Sequence, residues 1–420
     1  MIIIRLIVLL ALLAASHASL AQLVLEERLL WDQRLYEKEI FKERDRPIQF
    51  EVLGGYRYDS NPFRLSDDAD SQAILGSSDK ADNIFQLGAA GQLLLEKSRQ
   101  KFVLEGGAVQ NWYQNFDTLD HTSNALRGEW AWQAGNDWYG TLGAAHRTYM
   151  ESSTNIQQKI RDMIDRNRAY GSVNYRPVSY LKFTVDGDWL KSEHDLESRQ
   201  ALDNREESTA FTVSWVTPAE NTMGVRYLTT DATYPNSTLA SGGGLDNSYK
   251  DQEYSLVATW RASGASMFRG RLGRTERSFD QSPDRDFSGP TWRLGYEWQT
   301  TDKTALELAV WRELYGFEDL TGNYVRTTGF GIFPAWSVMP KLILQAKALY
   351  QTRDYLGGLS SGTTSGQRED QERLLQLATI WTPLRLTKLI AAIEAGDRKS
   401  NQALADYDYQ SISLSAIRTF

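Results

Sequence analysis

Arginine residues recur at even spacing in one short stretch of the chain and in the stretches beside it. Arg269, Arg271 and Arg277 share one parity, and Arg261 and Arg293 lie in the neighbouring alternating stretches. Residues of one parity share a face of an extended strand, so these guanidinium groups would form a stripe. Because a guanidinium binds a carboxylate through two parallel hydrogen bonds, such a stripe could guide anionic groups along its length.

Other charged residues occupy the polar parity of their own stretches, namely Lys182, Asp186, Asp188, Glu297 and Glu307. A mixture of signs of this kind is also expected of a wetted wall that has no dedicated binding site. Two interpretations therefore stay open, a mixed-charge wall and an arginine stripe for anionic groups. In both interpretations, the charged residues lie on one polar face of the strands, and this face is predicted to line a water-filled interior.

The residue types give little support for enzymatic chemistry. The chain has four histidines and no cysteine, and His121, His146 and His194 stand apart from one another without the spacing of metal ligands. We therefore predict no catalytic residue, no metal site and no cofactor. A serine–histidine–acid set stays as an alternative, because its members need not be close in sequence.

The charged positions belong to stretches in which apolar and polar side chains alternate. Residues 126–133, 180–189, 253–261 and 291–299 are clear examples. The period of two predicts β-strands with one apolar and one polar face. A soluble sheet with one wet face would show the same period, so single strands do not decide the fold.

The connections between these stretches are more informative. Short turns such as 97–100 and 300–303 alternate with longer polar loops such as 59–82 and 231–248. Membrane β-barrels have short turns at one end and longer loops at the other. The alternation predicts an all-β, antiparallel transmembrane barrel of about eighteen strands, wide enough to enclose an aqueous channel.

An aromatic residue precedes most of the short turns at a similar distance. These residues are Trp132, Tyr175, Trp215, Trp260, Trp298, Trp336 and Trp381. Rings at one level are typical of the girdle where a barrel meets the membrane interface, here on the periplasmic side. Their spacing also invites a repeat propeller, but each interval has room for one long hairpin rather than four short strands.

The amino terminus predicts export. Residues 1–21 contain a cation, an apolar run and a small-residue cleavage site, so we predict a signal peptide cut after Ala21. Residues 22–46 place four apolar side chains at helical spacing. They predict an amphipathic periplasmic leader helix that plugs the barrel, docks on a partner or serves as a spacer, with the barrel following at 47–420.

The carboxyl terminus ends on an alternating run. Ile412 and Leu414 share one parity with Phe420, and serines fill the other. With the export signal, this run resembles the closing strand of bacterial outer-membrane barrels, in which the terminal aromatic residue serves as the assembly signal. Arg418 departs from that pattern, which usually has an apolar or aromatic residue at this position.

The composition suits an exported membrane barrel of a Gram-negative bacterium. Mean hydropathy is −0.47 although 11% of the residues are aromatic, as expected when only alternate strand residues meet lipid. The formal net charge is −8, and loss of Arg5 with the signal peptide lowers it by one. An acidic chain of this kind has no electrostatic basis for binding nucleic acid.

Residues 56–65, Tyr-Arg-Tyr-Asp-Ser-Asn-Pro-Phe-Arg-Leu, carry a family resemblance. An aromatic strand running into these turn formers resembles the outer-membrane proteins of exosortase-associated exopolysaccharide clusters, within the beta-barrel porin type 2 group. The resemblance implies an outer-membrane channel for export or assembly of extracellular polysaccharide, with polysaccharide as substrate and periplasmic polysaccharide export proteins as partners. It carries over no catalytic residue.

Two other functions stay open at this point. A polar barrel could be a general or nutrient porin for small solutes, including anionic ones that use the same arginines. It could also be a non-conducting scaffold of a polysaccharide secretion complex. In every case the expected partners include outer-membrane lipid, lipopolysaccharide and the barrel-assembly machinery.

Overall fold

The computed structural model describes residues 47–236, 246–280, 282–316, 324–356 and 368–420. The predicted signal peptide (1–21) and leader helix (22–46) lie outside these residues. Within the described ranges, no helix is both long and apolar enough to cross a membrane.

Alternating apolar and polar residues form eighteen strands. The strands are β1 (Ile48–Asp59), β2 (Asp82–Lys97), β3 (Gln100–Tyr113), β4 (His121–Ala134), β5 (Trp138–Met150), β6 (Met163–Val178), β7 (Leu181–His194), β8 (Asn204–Val216), β9 (Thr222–Thr233), β10 (Tyr249–Ser263), β11 (Ser266–Ser278), β12 (Phe287–Trp298), β13 (Thr304–Tyr315), β14 (Tyr324–Met339), β15 (Leu342–Leu356), β16 (Glu369–Leu384), β17 (Thr387–Ser400) and β18 (Tyr407–Thr419).

Each strand pairs antiparallel with its neighbours in the chain, and β1 also pairs with β18, so the sheet closes into an 18-stranded barrel. In the closing pair, Leu53 lies opposite Ile417 and Tyr56 opposite Leu414. Closure gives each of the described strands two hydrogen-bonded neighbours, so this part of the chain has no unpaired sheet edge. The prediction of a closed all-β barrel of about eighteen strands is confirmed.

The outer face of the barrel is apolar. Val225 and Leu256 are each 60% exposed on the outside, while the adjacent residues Arg226 and Ser255 are buried on the inside. Large exposed apolar side chains recur in this way on strand after strand around the barrel. A continuous apolar belt of this kind is unfavourable in water and favourable against lipid.

The two ends of the barrel differ in their connections. At one end, here called the turn end, the connections between strands are short. For example, residues 98–99 join β2 to β3, and Ser98 has a φ of 57°, in the left-handed region. The other end, here called the loop end, carries longer segments that include two short helices, α1 (Ser71–Leu75) and α2 (Ser153–Ile156). The predicted alternation of turns and loops therefore describes the barrel correctly.

Strands extend further toward the loop end than their apolar alternation indicates. The clear alternation over residues 126–133 belongs to β4, which begins at His121, and that over 291–299 belongs to β12, which begins at Phe287. Beyond the apolar belt the outward positions become polar while the backbone ladder continues. A hydrophobic pattern marks only the part of each strand that faces lipid.

Candidate functional site

The predicted arginine stripe lies on the inner face of the barrel. On β11, Phe268 and Leu272 point outward and are 48% and 50% exposed, so Arg269, Arg271 and Arg277 take the opposite face. The eight steps from Arg269 to Arg277 correspond to about 26 Å of strand. The stripe therefore runs along much of the barrel wall.

The remaining predicted interior positions also fall on the inner parity of their strands. They are Arg261 on β10, Lys182, Asp186 and Asp188 on β7, Arg293 and Glu297 on β12, and Glu307 on β13. Val185, Leu294 and Val310, which have the opposite parity on β7, β12 and β13, are exposed on the outer face. That these residues line a conduction path stays a prediction.

Arg271 lies at the centre of an ion-pair network that joins β10 to β13. Its Nη1 donates to Glu253 at 2.6 Å and its Nη2 to Glu313. Arg293 also pairs with Glu313, and Arg269 pairs with Glu297 on β12. The side chains of Arg269 and Arg271 are 26% and 25% exposed, so their guanidinium groups are both held in place and open to water.

Arg277 differs from the other arginines of the stripe. Its Nε and Nη2 each donate to Asp251 at 2.7 Å, and its guanidinium lies 3.6 Å from the ring centroid of Tyr249. Only 3% of the residue is exposed. Arg277 therefore holds the loop end of this wall together, and the accessible stripe is shorter than parity alone predicts.

A second polar wall lies on β4 to β7. The Tyr170 hydroxyl donates to Glu129 at 2.7 Å and accepts from Arg127 Nε at 3.0 Å. Next to it, Arg168 Nε donates to Asp188 at 2.8 Å. Sequence reasoning named Asp188 as an interior residue and placed Arg127 on a polar strand face, but it did not name Arg168 or Tyr170, although all share the inward parity of their strands.

Loops fold inward over the loop end of the barrel. Loop 1 (60–81) and loop 2 (114–120) bury an apolar group, here called the mouth cluster, formed by Phe63, Leu65, Leu75, Phe116 and Leu119. Phe63 is fully buried, with its ring centroid 4.8 Å from that of Phe116. The turn-forming run at 59–62 thus directs the chain over the opening rather than away from it.

Loop 3 (151–162) reaches across the opening. The backbone carbonyl of Thr154 accepts a hydrogen bond from Arg398 Nη1 on β17 at 2.9 Å, although loop 3 joins β5 to β6, six strand positions away around the barrel. Lys159 Nζ donates to the carbonyl of Leu75 in loop 1 at 3.1 Å. Loops 1 and 3 together narrow the mouth.

The far end of loop 3 is fixed by a buried carboxylate. Asp162 is completely buried, 2.7 Å from His194 Nδ1 and 2.9 Å from Arg199 Nε. In loop 4 (195–203), Asp203 accepts from the backbone N–H of His194 at 2.7 Å, and burial raises the pKa of its carboxyl group. These contacts hold loops 3 and 4 against the barrel rim.

The seven predicted girdle residues all fall on the outer face near the turn end. Trp215, Trp298, Trp336 and Trp381 are exposed there, and the ring of Tyr175 stacks on that of Trp138 with centroids 4.3 Å apart. Their role at a membrane interface stays a prediction. Phe420 follows β18 and lies beside Phe50, with its N–H donating to the Phe50 carbonyl at 2.7 Å.

Other chemistry is not apparent in the described part of the chain. Among these residues no group of three or more histidine, cysteine, aspartate and glutamate side chains could hold a metal ion. His146 lies 2.9 Å from Asn167 and His194 contacts Asp162, so each has a polar partner of its own.

A closed 18-stranded barrel, apolar outside and charged inside, with loops folded over one mouth, has the architecture of an outer-membrane porin. Solved structures of Pseudomonas aeruginosa porins are similar to it. OpdK with vanillate has a TM-score of 0.50 at 8% identity, covering 89% of this chain and 99% of that one. OccK2 (OpdF) reaches 0.51 at 10% identity, covering 89% and 98%; its complex with glucuronate reaches 0.50 at 10% identity, covering 90% and 98%.

No protein-family model and no curated protein matches the sequence. The resemblance to exosortase-associated exopolysaccharide proteins is therefore not confirmed. At these identities the likeness to the Pseudomonas structures shows the fold alone, which is the 18-stranded porin barrel.

Proposed function

We propose that the chain is an outer-membrane channel of a Gram-negative bacterium that passes small solutes bearing a carboxylate or other anionic group by facilitated diffusion. The observation that carries the proposal is the partly exposed arginine set Arg269, Arg271 and Arg293 on the inner face of a closed barrel. A solute carboxylate would exchange with the glutamates that these guanidinium groups now hold.

The pairing makes this exchange plausible in energetic terms. These arginines are already paired, so a solute carboxylate must share each guanidinium group with Glu253, Glu297 or Glu313. A channel needs binding that is favourable but weak at each of several sites. The arginine set provides two such levels, Arg269 at one and the directly opposed Arg271 and Arg293 at the next.

The mouth favours small solutes over a polymer. Loop 3 crosses the opening and is tied to β17 through Arg398 and to loop 1 through Lys159. Moving a polysaccharide chain would require these contacts to break. Vanillate and glucuronate, which the similar Pseudomonas structures hold, are small carboxylates, in line with a nutrient-porin role rather than polysaccharide export.

The test compares ion selectivity in planar bilayers. Replacing Arg269, Arg271 and Arg293 together by Gln removes three inward cations and should move the reversal potential toward cation preference in a salt gradient. Arg274→Gln is the matched control, because Arg274 lies on β11 but faces outward and is 62% exposed. Equal reversal potentials for the triple variant and the control would contradict the proposal.

A further inference from the structure

An open apolar groove lies on the outer face of the barrel near the turn end, away from the arginine stripe. It spans β2 to β5 and has a volume of about 560 Å³. The side chains that form its walls are exposed and apolar, namely Leu95, Phe102, Leu104, Trp130 and Leu142. Its volume falls within the range of about 300–1,000 Å³ that is typical of sites for organic ligands.

The groove has a fixed shape because large rings lie beside small residues. The ring of Phe102 stacks on that of Trp130, with centroids 5.6 Å apart, and Trp130 Nε1 donates to Gln100 Oε1 at 2.8 Å. The floor is formed at Gly128, which lies opposite Leu104 on β3 and Ala144 on β5. The apolar belt is therefore indented here, between walls that are held in place.

Two exposed cations border the groove at the turn end. Lys97 follows Leu95 by two residues on the outward parity of β2, and the described residues offer its side chain no ion-pair partner. Arg99, in the turn between β2 and β3, donates through Nη1 to Asn136 Oδ1 at 3.0 Å in the turn between β4 and β5. This contact holds the guanidinium group across the turn-end edge of the groove.

The acids at this edge do not balance the two cations. Glu96 is paired with Lys101 at 2.8 Å, and both have the inward parity of their strands. Asp137 is the one acidic residue in the two turns, 98–99 and 135–137. Two cations against one anion leave a net positive charge beside the apolar groove, which suits an anionic headgroup that carries a hydrocarbon chain.

We infer that this groove binds one phospholipid of the periplasmic leaflet, with an acyl chain in the groove and the phosphate accepting hydrogen bonds from Lys97 and Arg99. The short turns of an outer-membrane barrel lie on the periplasmic side, so the groove and the cations lie at the depth of that leaflet's chains and headgroups. The inference goes beyond the proposed function, because lipid binding to the outer face does not depend on which solute the channel conducts.

The experiment is native mass spectrometry of the full chain in a neutral detergent, titrated with dioleoylphosphatidylglycerol. Dioleoylglycerol is the matched probe, because it has the same chains and lacks the phosphate. Wild type should bind one phosphatidylglycerol more tightly than further copies, and should bind dioleoylglycerol about tenfold or more weakly, because two cations contribute to binding the charged headgroup. Inorganic phosphate at the same concentration should displace none of the bound lipid, because it has no acyl chain.

One pair of variants tests the groove. In Gly128→Leu the new side chain fills the floor, and a Cβ at this position would meet only Leu104 Cδ1, at 3.9 Å, among residues not adjacent in the chain. Affinity for phosphatidylglycerol should fall about tenfold, which corresponds to about two methylene groups no longer buried. Gly187→Leu is the matched control on the outer face of β7, where a Cβ would have no such atom within 4 Å, and affinity should be unchanged.

A second pair of variants tests the phosphate contacts. Replacing Lys97 and Arg99 together by Gln should weaken phosphatidylglycerol binding about tenfold or more and leave dioleoylglycerol binding unchanged. Replacing Lys303 and Lys341 together by Gln is the matched control, because both are exposed cations in other turns of the same end; it should change neither affinity. This second pair decides the matter if Gly128→Leu fails to fold.

Several outcomes would overturn the inference. They are equal affinity of wild type for the two probes, phosphatidylglycerol affinity unchanged in a folded Gly128→Leu or in the Lys97 and Arg99 double variant, and an equal loss of affinity in either control. A change of oligomeric state in Gly128→Leu without a loss of lipid affinity would identify the groove as a contact between copies of the chain, and would overturn it too.

Discussion

Arg271→Gln should change the ion selectivity of the channel by an amount that can be worked out beforehand. The side chain is 25% exposed on the inner face and bridges Glu253 and Glu313. Removing its positive charge takes one cationic partner away from Glu253 and from Glu313. The electrostatic potential inside the barrel at this level therefore becomes more negative. Anions should then be depleted and cations enriched at this level of the barrel.

The magnitude follows from Coulomb's law with screening. An ion passing about 6 Å from a unit charge in water interacts with it by about 0.7 kcal/mol, which salt at about 0.1 M reduces to about 0.4 kcal/mol. The local concentration of each ion then changes about twofold in opposite directions, so the anion-to-cation permeability ratio should fall about fourfold. At about 1 M salt the same calculation gives a change of about 1.4-fold.

The assay is the reversal potential in planar bilayers under a KCl gradient, repeated at low and high mean salt. Arg274→Gln, on the outer face of the same strand, is the control and should show no shift at either concentration. The reasoning is refuted if Arg271→Gln leaves the permeability ratio unchanged at low salt. A shift of equal size at both salt concentrations would also refute it, since screening could not then be acting.

Three other perturbations follow from the structure. Deleting Phe420 should reduce barrel assembly, because this residue exchanges backbone hydrogen bonds with Phe50 at the closing pair; the fraction of chain that changes gel mobility on boiling measures this, and a normal fraction would contradict it. Asp162→Asn should loosen loop 3 by about 3–5 kcal/mol, the usual cost of breaking a buried ion pair. Hydrogen exchange over 151–162 should speed up, whereas exposed Asp67→Asn should leave it unchanged. Removing residues 22–46 should raise single-channel conductance or abolish partner binding; if neither changes, the leader is a passive spacer.

The barrel could be predicted from the sequence because its determinants are local. In a strand such as β11, about ten residues are enough to distinguish the two faces. Outward positions must be apolar against lipid, and inward positions must be polar against water. Short turns and long loops mark the two ends independently. Strand number and closure follow from these two signals together.

The arrangement of the charged groups could not be predicted in the same way. Arg271 pairs with Glu313, which lies 42 positions away and two strands further around the barrel, and the Arg398–Thr154 contact joins residues 244 positions apart. Such pairs depend on the register of several strands and on loops that fold inward. Parity placed Arg277 on the inner face but gave no sign that Asp251 and Tyr249 enclose it.

The motif at 56–65 illustrates the limit of a short resemblance. Asn61 Nδ2 donates to the carbonyl of Leu65 at 2.8 Å, the Leu65 N–H donates back to Asn61 Oδ1 at 2.9 Å, and Arg64 pairs with Asp59. These contacts close a turn that carries loop 1 over the mouth. The residue types of the motif are explained by this turn, so the motif by itself does not indicate a polysaccharide substrate.

The most direct test of the proposed function is solute uptake into liposomes that contain the purified barrel. We predict that liposomes swell faster in iso-osmotic glucuronate than in glucose, and that the variant lacking Arg269, Arg271 and Arg293 loses this preference. A dextran of polysaccharide size should give no swelling. The account would be contradicted if no solute caused swelling, as expected of a non-conducting scaffold, or if glucose and glucuronate entered at equal rates in wild type.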